Sequence, residues 1–248
     1  MASRLRLGVH AVGLNERPDT AAATPGLWSL DMGRGSVDNL PMVTRLEVFA
    51  DITCPFTHAG LRKVVSELQV LDGDVEVVVR AWPLEWVNGA PLEAAAVKVK
   101  IAALHDQLGV GDFEGFREEA WPTTTIPALN LAAAAFTLDA PTGLAVSLAL
   151  RDAVFEEGRD VSDPAVLAEI AGRFGLAPPA PEADARVTAD YEDGQRRGVR
   201  GSPDFWLGDE EFFCPALRLG HDDAGLTAEF DTEGLARFME RVRSSSMG

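Results

Sequence analysis

Cysteine is scarce in this chain: two residues in 248, Cys54 and Cys214. That excludes a disulfide-stapled secreted domain and a four-cysteine zinc site. The four histidines, His10, His58, His105 and His221, show no metal-ligand spacing, so no metal is expected. Basic residues are outnumbered, 22 Lys and Arg against 39 Asp and Glu, and the formal charge of −17 argues against nucleic acid as a partner. No apolar run approaches the roughly 18 to 20 residues of a membrane span. The N-terminus lacks the compact apolar segment of a secretory signal. These absences point to a soluble, cytoplasmic protein with no membrane partner. With 46% hydrophobic residues, the chain can build one large domain or two intertwined ones.

The chemistry concentrates between Leu46 and His58. An apolar run ends in Asp51-Ile52-Thr53, Cys54 is followed at once by Pro55, and Leu61, Val64, Val65 and Leu68 then recur at helical spacing. A strand therefore turns into a helix whose first residues include the cysteine. Pro55 suits the first helical position, where its missing N–H needs no partner. A thiol at that point faces unpaired amides and the positive end of the helix dipole, which favours the nucleophilic thiolate.

Residues 1–42 carry several Gly and Pro without sustained periodicity and read as a disordered or loosely attached tail, with Met1 and Met42 as alternative starts. Strands are expected over 44–51 and 75–82, with the Asp72-Gly73-Asp74 turn before the second. With the helix from Cys54 to about Leu71, they form a parallel βαβ unit. Pro83 to Trp86 reads as a loop. Helices are expected over 92–108, 112–120, 127–138, 142–157, 163–174 and 181–197, with Thr142 and Asp163 as capping side chains and Gly109, Gly158 and Gly175 at ends. Strand pattern returns at 201–207 and 211–214 around the Gly208-Asp209 turn, and Leu235, Phe238, Met239 and Val242 mark a closing helix. The order is βαβ, helices, ββα: an α/β thioredoxin fold, residues 43–90 and 199–248, with an inserted α-helical subdomain over 91–198.

Cys54-Pro55-Phe56-Thr57 at the strand–helix junction, the inserted helices, and Val199-Arg200-Gly201-Ser202-Pro203 before the third strand resemble the DsbA-like thioredoxin-fold family. Arg80 to Glu85 and Glu157 to Asp163 resemble its FrnE-type branch, which adjoins 2-hydroxychromene-2-carboxylate isomerases and kappa-class glutathione transferases. The likeness spans about Val43 to Val242. It implies that Cys54 attacks substrate sulfur, that Pro203 is a cis proline facing Cys54, and that Ser202 offers backbone hydrogen bonds to an extended substrate. Pro55, Phe56 and His58 join Ser202 as candidate substrate-binding residues.

This chain departs from the family's Cys-x-x-Cys motif at Thr57, so an ordinary intramotif disulfide is excluded. Thr57 lies three residues after Cys54 on one helical face, where its hydroxyl can serve the thiolate as donor or merely pack. His58 is either a second thiolate partner or a solvated helix residue. Cys214, at the end of the returning hairpin, is either a resolving thiol or a small apolar residue at a strand end. Asp51 is read as capping its turn or tuning the thiol; Trp82 and Trp86 as core or cleft; Trp121 to Thr125 as a break between helices at the domain interface. The implied function is a thiol–disulfide oxidoreductase or thiol transferase using one motif cysteine. It needs no cofactor beyond a small thiol co-substrate such as glutathione or mycothiol. Two alternatives stand beside it: a glutathione-transferase- or isomerase-like enzyme in which Thr57 stabilises a bound thiolate, and a non-catalytic module holding extended peptides beside Pro203.

Overall fold

The computed structural model describes residues 43–70, 75–108, 112–222 and 225–246. The expected tail at 1–42, the choice of start, the Asp72-Gly73-Asp74 turn and Gly109 lie outside them. Strand β1 (Thr44–Ala50) runs into helix α1 (Pro55–Leu68), and β2 (Val75–Ala81) returns parallel to β1 in the register Val48↔Val79. Helices α2 to α7 follow before β3 (Asp204–Leu207) and β4 (Glu210–Phe213). β3 lies antiparallel to both β1 and β4, so the sheet order is β2-β1-β3-β4. The closing helix is α8 (Thr232–Ser246). This is the expected α/β thioredoxin arrangement.

Alternation along β1 sorts its side chains. Leu46, Val48 and Ala50 join Leu61 and Val64 of α1 and Phe238 and Val242 of α8 in one core. On the opposite face Phe49 meets Trp82 and Trp206, with the Tyr191 ring tilted against Trp82 at 5.0 Å. Trp86 packs edge-on against the same tyrosine. The second large core lies among the helices between β2 and β3, where Leu104, Leu131, Leu150 and Phe155 are fully enclosed.

Several boundaries differ from the sequence expectation. Pro83 to Trp86 is no loop: a short helix α2 (Leu84–Asn88) starts there and stops at Gly89, whose φ of 74° favours glycine. α3 spans Ala94–Leu108. The helix expected over 112–120 is only a 3-10 turn at Glu118–Ala120. Phe113 adopts φ 77°, and a side chain at Gly115 would meet the Glu156 carbonyl oxygen at 1.9 Å, so this segment folds tightly against the end of α5. α4 is Ile126–Phe136. α5 (Ala140–Phe155) starts earlier than Thr142, because Asp139 is the cap and accepts the Thr142 N–H at 2.6 Å. α6 (Pro164–Arg173) is capped by Asp163 as expected. α7 (Ala185–Arg197) begins at the Asp184 cap, since Pro178, Pro179 and Pro181 keep the preceding segment out of a helix. A separate hairpin, β5 (Leu217–Asp222) with β6 (Gly225–Phe230), fills a stretch with no assigned structure in the sequence reading.

Candidate active site

The turn after β1 is built by Asp51. Its Oδ1 accepts the Thr53 N–H at 2.7 Å and the Thr53 hydroxyl at 2.6 Å; its Oδ2 accepts the Leu84 N–H at 2.9 Å and the Thr125 hydroxyl at 3.0 Å. Four donors satisfy a carboxylate that is almost fully buried. Asp51 thus takes its capping role, and the start of α2 and the Trp121–Thr125 break converge on it. Glu85 completes that junction by accepting the Thr125 N–H at 2.8 Å.

Cys54 occupies the N-cap of α1 in extended conformation, with Pro55 as the first helical residue and no side chain capping the helix. The first helical bond runs from the His58 N–H to the Cys54 carbonyl at 3.1 Å. The Ser202–Pro203 peptide bond is cis. It lies directly against the thiol, whose Sγ donates to the Ser202 carbonyl oxygen at 2.9 Å. Gly60 brings α1 close enough that a Cβ there would rest 3.9 Å from the Pro203 ring. In the motif Pro55, Thr57 and His58 are buried and only Phe56 is part-exposed, with the Lys100 ammonium 5.8 Å over its ring.

Thr57 is fully buried, and the hydrogen bond seen for its hydroxyl runs to the Ser202 hydroxyl at 2.7 Å rather than to Cys54. The Ser202 hydroxyl in turn accepts the Asp51 N–H at 2.9 Å. One small hydrogen-bonded unit thus ties β1, α1 and the cis-proline loop together around the cysteine.

His58 is not a solvated helix residue. Its Nε2 donates to Glu156 Oε1 at 2.6 Å, and its ring sits 4.8 Å from that of Phe155 and 5.1 Å from that of Phe113. An ionised carboxylate only accepts, so Nε2 carries the proton. Glu156 also accepts the Phe113 N–H at 3.0 Å. His58, Asp112 and Glu156 converge with ligand-capable atoms within 4.8 Å of one another. Arg62 supplies positive charge there, 3.6 Å from Asp112 and 2.5 Å from Asp152.

Cys214 follows β4 with φ 47°, and its N–H donates to the Pro203 carbonyl at 3.2 Å. Burial pushes its thiol up to about 12, with the nearby Cys54 adding to the rise. Both cysteines are buried and free. Arg151 of α5, completely buried, donates to the Ser147 carbonyl (2.9 Å) and hydroxyl (2.6 Å) and to the Asp51 carbonyl (3.1 Å). Burial lowers its guanidinium to about 10, opposed by Asp51, Cys54 and Asp152. Sequence reasoning misses Arg151 because arginine normally marks an exposed face. The available signal is a charged residue on the apolar stripe of Val146, Leu150 and Val154, with Ser147 one turn earlier to hold it.

The sequence profile of the DSBA-like thioredoxin domain matches residues 45–221, from β1 through the cis-proline loop to β5. The chain belongs to this family. The match joins it to thioredoxin-fold thiol–disulfide oxidoreductases. No curated protein sequence matches the chain. Among solved structures, it is similar to a probable DsbA oxidoreductase from Streptomyces coelicolor, at 18% identity and TM-score 0.53, over 80% of this chain and 89% of that one. A provisionally assigned protein disulfide isomerase from Nitrosomonas europaea shares 17% identity at TM-score 0.56, over 80% and 97%. The cytosolic disulfide reductase DsbM from Pseudomonas aeruginosa shares 16% at TM-score 0.50, over 80% and 98%. Likenesses at this identity carry the fold of the DSBA-like domain. Among its described residues, no helix is long and apolar enough to cross a membrane.

Proposed function

We propose that this DSBA-like protein is a thiol–disulfide oxidoreductase that works with one motif cysteine and an external small thiol. The observation that carries the reading is the Cys54 Sγ at the N-cap of α1, 2.9 Å from the carbonyl that precedes cis-Pro203. The helix start supplies a positive field for a thiolate, and the loop supplies an extended backbone against which a substrate disulfide can lie.

In the first step the Cys54 thiolate attacks one sulfur of a substrate disulfide. A Cys54–substrate disulfide forms, the substrate S–S bond breaks, and the second substrate sulfur leaves as a thiolate that takes a proton from water. A small thiol such as glutathione or mycothiol then attacks the Cys54 sulfur and releases the remaining substrate thiol. A second small thiol frees Cys54 and carries away the oxidised pair, so two small thiols supply the two electrons. Thr57 supports the thiolate: the Ser202 hydroxyl accepts from Asp51 N–H, and when it donates to Thr57 the Thr57 proton is free to turn to sulfur. Phe56, the part-exposed member of the motif, meets substrate first, with Pro55 and Ser202 behind it.

Cys214 is a poor resolving nucleophile, because attack requires a thiolate and its burial opposes one. His58 holds the motif helix to α5 through Glu156 and does not serve the sulfur. The setting we assign is a reducing cytoplasm, which suits a chain with two free thiols.

The test is glutathione-dependent reduction of a small disulfide or of insulin. Turnover disappears in Cys54→Ala on this reading; turnover equal to wild type in that variant sinks it. A transferase-like site built on Thr57 predicts instead that thiol conjugation survives Cys54→Ser.

A further inference from the structure

Arg151 is the largest of the fully buried side chains, and all three of its hydrogen bonds go to neutral oxygens. Its Nε–H is buried with no acceptor. An uncompensated buried cation costs several kcal/mol, so a negative charge is needed close by. Three groups act on it electrostatically: Asp51, Cys54 and Asp152. Asp152 is already bonded to Arg62 at 2.5 Å. Neutral donors from Thr53, Leu84 and Thr125 fix the Asp51 carboxylate without cancelling its attraction for Arg151. Cys54 is the group whose charge changes in the reaction, and it lies three residues on from the Asp51 carbonyl that Arg151 holds at 3.1 Å. Its thiol faces the Ser202 carbonyl, an acceptor, so loss of its proton leaves a thiolate against an oxygen lone pair, which a nearby cation offsets together with the helix start.

We propose that Arg151 is a positioning residue for Cys54: the guanidinium clamps the Asp51 carbonyl, fixing the turn that presents the thiol, and its charge stabilises the thiolate formed there. This rests on Cys54 being the reactive thiol. The other ionisable groups around the site do not take that role; Lys100 of α3 lies over the Phe56 ring. Asp51 at the end of β1 has the wrong sign, and so does Asp204 on β3, which with Cys54 raises Cys214 beyond β4. His58 on α1 is turned to Glu156, and Arg62 on the same helix to Asp112 and Asp152.

The experiment is alkylation of Cys54 by iodoacetamide across pH, read at the Cys54 peptide by mass spectrometry. In Arg151→Met the pH of half-maximal alkylation should rise by about one to two units, the size of effect an adjacent opposite charge exerts. At pH 7 alkylation should slow at least about tenfold. Arg151→Lys, which offers an ammonium without the planar fork, should recover only part of the shift. An unchanged profile in a folded Arg151→Met protein, even one with a lower melting temperature, would overturn the proposal. If that variant does not fold, the ¹⁵N resonance of Arg151 Nε in the wild-type chain decides. It should move as Cys54 ionises and stay flat in Cys54→Ser; a flat response in wild type overturns the inference. Alkylation needs no turnover, so a protein that behaves this way but reduces no disulfide would refute the catalytic reading alone.

Discussion

Cys54 and Cys214 hold the carbonyls of two successive residues: the Cys54 thiol donates to the Ser202 carbonyl at 2.9 Å, and the Cys214 N–H donates to the Pro203 carbonyl at 3.2 Å. The second cysteine meets the loop through its backbone, and its thiol is kept protonated by burial. Cys214→Ala should therefore keep thiol-dependent turnover within about twofold of wild type, and Cys214 should be alkylated far more slowly than Cys54 at pH 7. A loss of turnover that extra glutathione does not restore would make Cys214 the resolving thiol.

Thr57 stands where a second motif cysteine would stand, buried beside the Ser202 hydroxyl. Thr57→Cys is close in volume and restores two thiols at the motif spacing. The variant should form an intramotif disulfide, seen as protection of both motif thiols from alkylation after mild oxidation. Its resolution should lose most of its dependence on external thiol concentration. It should also be less stable by about 1–2 kcal/mol, because the Ser202 hydroxyl loses a buried partner. Continued first-order dependence on external thiol, with a disulfide present, would contradict this account of Thr57.

Asp204, next to the cis proline, is fully enclosed, with one carboxyl oxygen unpartnered and the other accepting the Arg200 N–H at 3.0 Å. Burial pushes its carboxyl up to about 6; the Arg200 N–H opposes the rise and the Glu211 charge adds to it. A folded-state value above the unfolded one gives stability that is complete below about pH 4 and is lost as pH rises through about 6. Asp204→Asn removes that loss. It should flatten the stability profile over this window and exceed wild type at pH 7.5 by on the order of 1–3 kcal/mol in urea unfolding.

Glu156 works in the opposite sense. Burial acts to raise its carboxyl, yet the hydrogen bonds from His58 and the Phe113 N–H and the charge of Arg62 carry it below its usual value. Its stabilisation is present above the unfolded value of roughly 4.5 and fades as pH falls through the depressed one. Glu156→Gln should lower the urea midpoint at pH 6 and match wild type at low pH, below about 3. A gap that persists unchanged at low pH would mean packing, not charge, is what the residue contributes.

The fold and the Cys54 turn were legible because they rest on local chemistry. β1, α1 and β2 follow from β-branched runs and a Cys-Pro helix start; β3 and β4 follow from Gly208-Asp209 between aromatic strands. What stayed hidden depends on distant partners. The turn around Phe113 forms because its N–H reaches Glu156, and Gly143 in α5 is small because a Cβ there would strike the Phe136 ring at 2.2 Å. The burial of His58 and the role of Arg151 likewise depend on α5 packing across the motif helix, which no spacing in the sequence reports.

The central claim is one reactive cysteine resolved by an external thiol, and intact-mass analysis of the stalled intermediate tests it most directly. Wild-type protein treated with oxidised glutathione and quenched with acid should carry one glutathione, located by peptide mapping on Cys54, and excess reduced glutathione should remove it. A product lighter by two hydrogens, linking Cys54 to Cys214, or an adduct confined to Cys214, would contradict the account.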